Sequence, residues 1–156
     1  MPFLVATMVK TWVNAWCAQH RFQAARGLCR FGCGAARGDC IHHYVMCPIL
    51  ADWIRQLDSG GIAAGDIWAL LGLANNLTER DILQRAVVIH CAMTTFEHIR
   101  SHNGISTPRE TMNLLTGRLR NSRAQHRIIL QAFNDEQWMM FLRNRRSNRR
   151  RRRSAT

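Results

Sequence analysis

An all-α fold, a small helical domain built around a Cys/Cys/His/Cys zinc knuckle, is predicted by three observations. Apolar residues recur at helical spacing along most of the chain, no run alternates as a strand would, and cysteines cluster in a glycine-rich loop. With 47% apolar residues among 156, the chain can build one core. No stretch reaches the roughly 18 consecutive apolar residues of a membrane helix, and the run Phe3 to Val9 has no basic segment before it. Neither a membrane span nor a signal peptide is expected, and six cysteines then point to a reducing, intracellular location.

The first element, over residues 1–26, is expected to be a helix from Val5 to about Ala25. Met8, Trp12 and Trp16 fall at i, i+4 and i+8 on one apolar stripe, with both tryptophans in the core. Residues 27–60 form the knuckle and its following helix. Four glycines between Gly27 and Gly38 suit a tight loop, and Asp39 is expected to cap a short helix through His43 and Cys47. Pro48 ends that helix and starts the next, which carries Ile49, Leu50, Trp53, Ile54 and Leu57 on one face until Ser59.

Residues 61–142 read as a helical bundle. A short piece covers Asp66 to Leu73. Thr78 then caps a longer helix, with Glu79 and Asp81 in the first turn and a seam of Ile82, Ala86, Ile89, Met93 and Phe96, closed by Asn103 and Gly104. Thr107, Pro108 and Glu110 make a capping box ahead of Met112, Leu115 and Leu119, with a break near Asn121 and Ser122. A last helix starts at Asn134. Residues 143–156 hold nothing apolar but Ala155 and are expected to be a disordered, arginine-rich tail.

The chemistry sits in Cys29, Cys33, His43 and Cys47, spaced Cys-x3-Cys-x9-His-x3-Cys. Thiolate and imidazole are the donors that structural zinc prefers, and His43 and Cys47 lie one helical turn apart, so both reach one point. Four protein ligands fill a tetrahedron and leave no position for a substrate, so Zn2+ here would hold structure. Two alternatives stay open: His42 in place of His43, and Cys40 in place of a neighbouring cysteine.

The net charge of +12 points to a polyanionic partner. Eight of these charges are Arg143, Arg145, Arg146, Arg149, Arg150, Arg151, Arg152 and Arg153, which leaves +4 for the rest. Arginine offers bidentate contacts to phosphate. Together with Arg30 and Phe31 in the loop and Arg120, Arg123 and Arg127 on one helix face, the tail arginines are the expected nucleic-acid contacts. The tail also reads as a nuclear-localisation signal.

The run Thr11-Trp12, Asn14-Ala15-Trp16-Cys17, Arg21-Phe22, Cys29-Arg30-Phe31-Gly32-Cys33, Asp39, His43-Tyr44 and Cys47-Pro48 resembles the C-terminal region of LINE-type (non-LTR) retrotransposon reverse transcriptases of protists. The resemblance spans about residues 11–57. It implies a zinc knuckle ligated by Cys29, Cys33, His43 and Cys47, binding to RNA or DNA, and a parent polymerase domain. The paired aspartates such a polymerase needs for two metal ions are not present, since Asp39, Asp52, Asp58, Asp66, Asp81 and Asp135 are scattered. His98 and His102 lie a turn apart near Glu97 but lack the His-Glu-x-x-His order of a metalloprotease. A non-enzymatic binding module is expected, with a helical protein-interaction module or a non-functional retroelement fragment as the alternative.

Overall fold

A computed structural model describes residues 2–12, 15, 16, 18, 27–36, 38–57, 70–75, 77–102 and 104–125. Five helices are described: α1 (Pro2–Trp12), α2 (Ile41–Met46), α3 (Pro48–Gln56), α4 (Glu79–Ser101) and α5 (Pro108–Gln125). Among the described residues there is no strand, and the fold is helical as predicted.

The centre of the packing is α4. Ala86, Val87, Val88, Ile89, Cys91, Ala92, Met93, Phe96 and Ile99 are all buried, too many for a single stripe, because α1 packs along one side of the helix and α5 along another. Ile82 departs from the predicted seam. It is 44% exposed, because the apolar surround of α4 begins a turn later, at Ala86. The start of α4 follows the expected chemistry: the Asp81 amide donates to Thr78 Oγ1 at 3.2 Å, and the Thr78 amide donates to Asp81 Oδ2 at 3.0 Å. The matching box on α5 is also formed, with the Thr107 amide donating to Glu110 Oε2 at 2.9 Å and the Glu110 amide to Thr107 Oγ1 at 3.3 Å. No break occurs at Asn121 or Ser122, and α5 runs through to Gln125. Ser122 is buried on the same face as Leu115 and Leu119, so packing carries the helix across a polar stretch.

The first helix is shorter than its periodicity suggests. It ends at Trp12, and the amide of Ala15 reaches the carbonyl of Lys10, five residues back, at 2.6 Å. Past that wide turn Trp16 folds inward, only 2% exposed, and its indole donates to Thr11 Oγ1 at 3.0 Å. Trp12 stays half exposed and donates instead to the Leu71 carbonyl. Two tryptophans read as one stripe therefore have different environments. Trp16 joins the core with Leu4 and Met8, and Trp12 lies at the surface.

Pro48 divides α2 from α3 as expected, and Leu50, Trp53, Ile54 and Leu57 are buried against the rest of the core. Trp53 donates its indole N–H to Thr116 Oγ1 at 3.3 Å, tying α3 to α5. The expected helix from Asp66 falls mainly outside the described residues, as do the helix from Asn134 and the tail at 143–156. No described helix is long and apolar enough to cross a membrane.

Candidate metal centre

The loop that carries the first two cysteines is held by its own backbone. The Gly32 amide donates to the Cys29 carbonyl at 3.1 Å, closing a turn, and the Cys29 amide donates to the Ala35 carbonyl at 3.2 Å, closing the loop. Gly32 has φ +79°, a left-handed value that side chains disfavour, and it redirects the chain so that Cys33 comes back beside Cys29. On the other side α2 supplies His43, and Cys47 stands at the junction that Pro48 forces between α2 and α3.

These four residues converge. The Sγ atoms of Cys29, Cys33 and Cys47 and a ring nitrogen of His43 all lie within 4.8 Å of one another. Cys29 Sγ is 3.9 Å from Cys47 Sγ, and Cys33 Sγ is 3.2 Å from His43 Nε2. Metal–sulfur bonds of about 2.3 Å in a tetrahedron put neighbouring sulfurs about 3.8 Å apart, so the Cys29–Cys47 edge fits a metal ion. Cys29 and Cys47 are fully buried while Cys33 and His43 are half buried, so one edge of the cluster faces the core and the other opens outward.

The two buried thiols cannot both ionise without a cation between them. The bond between the two thiols, more than the amides of Ile49 and Leu50 at the start of α3, pulls Cys47 down to about 6. Cys29 is pushed upward, first by the same bond and then by burial. A divalent ion would relieve this by accepting both as thiolates.

Of the alternatives read from the sequence, the structure brings His43 into the cluster and leaves His42 exposed; Cys40 is half buried and outside the cluster. Cys91 is a core residue of α4, its thiol pushed up to about 12 by burial.

Behind the cluster lies a network that the sequence reading missed. Asp39 is not the helix cap; Cys40 occupies that position and makes no side-chain capping bond. Asp39 is instead 2% exposed and accepts from the Tyr44 hydroxyl at 2.7 Å and from Arg30 Nε at 3.3 Å. Tyr44 Oη in turn accepts from the Arg30 amide at 3.2 Å. The signal for this was the single tyrosine of the chain, set one residue after His43: a buried phenol needs a polar partner, and Asp39 is the acceptor within reach. Tyr44 also packs its ring against Phe31, Phe96 and Trp16, with centroids 4.9, 4.8 and 5.9 Å away.

Two expected nucleic-acid contacts are corrected by this arrangement. Phe31 has no exposed surface and cannot stack on a base, because its ring is enclosed by the core beside Tyr44. Arg30 turns its guanidinium inward, to Asp39 and to the Gly104 carbonyl, with 17% of the side chain exposed. Arg120 is exposed on α5. The side chain of Arg123 lies outside the described residues, as do Arg127, Arg143, Arg145, Arg146 and Arg149 to Arg153.

Compared with protein-family models, curated proteins and solved structures, the chain finds no match.

Proposed function

We propose that this chain is a zinc-stapled, basic module that holds RNA or DNA mainly through phosphate, and that it performs no catalysis of its own. The observation that carries the reading is the convergence of Cys29, Cys33, His43 and Cys47 to within 4.8 Å. Three thiolates and one imidazole form a closed donor set of the kind that structural zinc occupies, and such a set offers no open position to a substrate. The ion would fix a loop whose other anchors, Asp39 and Tyr44, are already pinned to the core.

The nucleic-acid part rests on the charge of +12, on the eight arginines from Arg143 onward and on exposed Arg120. The resemblance read in residues 11–57 agrees with this and would set the chain beside a polymerase domain, while the arginine tail would serve as a nuclear-localisation signal.

Two measurements test it. Protein purified without added metal should carry about one zinc per chain, a number set by the closed four-ligand site. Its affinity for RNA or DNA should fall with salt at a slope of about 0.9 per phosphate neutralised, and deletion of residues 143–156 should reduce that slope by several units. Binding that ignores salt and survives the deletion would instead support a protein partner.

A further inference from the structure

Two histidines stand together at the end of α4, outside the Cys29 cluster. His98 and His102 are four residues apart, and their rings lie 4.5 Å apart between centroids, inclined by 53°. His98 is half buried and His102 exposed. Both line an open groove of about 440 Å³ between the end of α4 and the start of α5, with Ile99, Glu110 and Leu114 among its other walls. The Cys29–Cys33 loop braces this end of α4: the Ser106 amide donates to the Arg30 carbonyl at 2.9 Å, and Arg30 Nη1 donates to the Gly104 carbonyl at 3.3 Å.

Each ring has a nitrogen to offer. His102 Nδ1 lies 2.8 Å from the His98 carbonyl oxygen, and a carbonyl only accepts, so Nδ1 carries a proton and the lone pair is left on Nε2. Histidines that bind metal are commonly held this way, by the other ring nitrogen on a backbone carbonyl. Among the described residues nothing hydrogen-bonds to the His98 ring. The spacing of the rings fits a shared ion. A metal–nitrogen bond of about 2.1 Å, with roughly 1.1 Å from nitrogen to ring centre, puts each centroid about 3.2 Å from the ion, so two rings at a right angle about it stand about 4.5 Å apart. A tetrahedral angle would part them by about 5.2 Å. The observed 4.5 Å is the separation of cis positions around an octahedral or square-planar ion.

We propose that His98 and His102 form a second metal site, which takes a divalent transition ion of the nickel(II) or copper(II) kind through two imidazole nitrogens in cis positions. Imidazole suits these ions, whereas magnesium and calcium take oxygen donors. His102 is the C-cap of a 23-residue helix, where the carbonyl end of the helix dipole favours a cation. Glu110 across the groove adds to that attraction, and Arg118, whose charge reaches His98, takes from it. Two protein donors leave about four positions of an octahedral ion to water, and at roughly 30 Å³ per water the groove has room for them. The ion is therefore exchangeable, unlike one enclosed by Cys29, Cys33, His43 and Cys47, and it bridges the last turn of α4. Neither the nucleic-acid reading nor zinc at the cluster is needed for this site.

The test titrates nickel(II) into the untagged full chain, first loaded with zinc, at about pH 7.5, above the ordinary histidine pKa. Calorimetry reads the affinity, and native mass spectrometry counts both metals. One nickel ion per chain is expected. His102→Gln and His98→Gln should each weaken it about a hundredfold, because a chelate becomes a single contact. His42→Ala, at an exposed histidine with no other histidine a turn away, should leave it unchanged. Circular dichroism reports whether each variant keeps its helices. In the parent protein, amide exchange in the last turn of α4 should slow with nickel and not with magnesium. Absence of a nickel ion, an affinity that neither glutamine variant lowers, or nickel bound without protection at the end of α4 would overturn the site, whatever the cluster holds.

Discussion

The backbone of Gly32 lies so close to Ser106 that a Cβ on the glycine would sit 2.0 Å from the Ser106 carbonyl oxygen. The Cys29–Cys33 loop and the α4–α5 connection therefore meet backbone to backbone, and no flexible side chain is there to give way. Gly32→Ala should cost at least about 2 kcal/mol, from strain at positive φ together with the clash. Gly34 has the same φ of +79° but open space around it, so Gly34→Ala should cost only about 1 kcal/mol. Thermal or urea unfolding of the two variants checks the difference.

Removing a ligand should behave differently from removing a neighbour. Cys29→Ser and Cys47→Ser alter the buried edge of the cluster and should lose both metal and fold, whereas His43→Ala should lose metal. Cys40→Ser and His42→Ala should keep the full metal content, because neither side chain is in the cluster. Mass spectrometry under native conditions, with and without a chelator, reads each case.

Asp39→Ala should be among the most damaging changes outside the ligands. It strips the buried Tyr44 hydroxyl and the Arg30 guanidinium of their shared acceptor at once, and breaking a buried charged pair costs about 3–5 kcal/mol. Tyr44→Phe removes only the hydroxyl and should cost about 1–3 kcal/mol. Chemical denaturation of the metal-loaded protein measures both.

The helix starts give a pH dependence of definite sign. Hydrogen bonds from the Thr78 side chain and amide hold the Asp81 carboxyl below its ordinary range, and the Thr107 amide and side chain do the same for Glu110. A depressed carboxyl stabilises the folded state fully above its unfolded pKa, near 4, and loses that contribution as pH falls through the lower folded value. The first turns of α4 and α5 should therefore fray below about pH 4. Asp81→Asn should weaken the start of α4 by about 0.3–1.5 kcal/mol at neutral pH and flatten its response to acid. Amide exchange in the first turn of α4 is the measurement.

How far the sequence could be read depended on whether each signal was local. The cap at Thr78, the Thr107–Glu110 box and the stop at Pro48 are encoded within a few residues and appear as read, and the two short pairs Cys29/Cys33 and His43/Cys47 do converge. The failures are tertiary. Met8, Trp12 and Trp16 have the spacing of one helix, yet the wide turn that seats Trp16 against Tyr44 and Phe96 depends on partners far away in the chain. Asp39 has the local look of a cap, and its real role is set by Arg30 and Tyr44, which the loop brings to it. Phe31 has the look of an exposed loop aromatic, and nothing near it in sequence announces that Tyr44 and the core will enclose it. The groove at His98 and His102 exists only because α5 returns alongside α4.

The ring of His43 touches Tyr44 edge-on at 6.0 Å, and Tyr44 lies nearly parallel to Trp16 at 5.9 Å. Imidazole, phenol and indole thus form an unbroken relay from the cluster into the hydrocarbon interior. Occupancy of the cluster should consequently be visible optically, as a change in near-ultraviolet dichroism from these coupled rings, with no label attached.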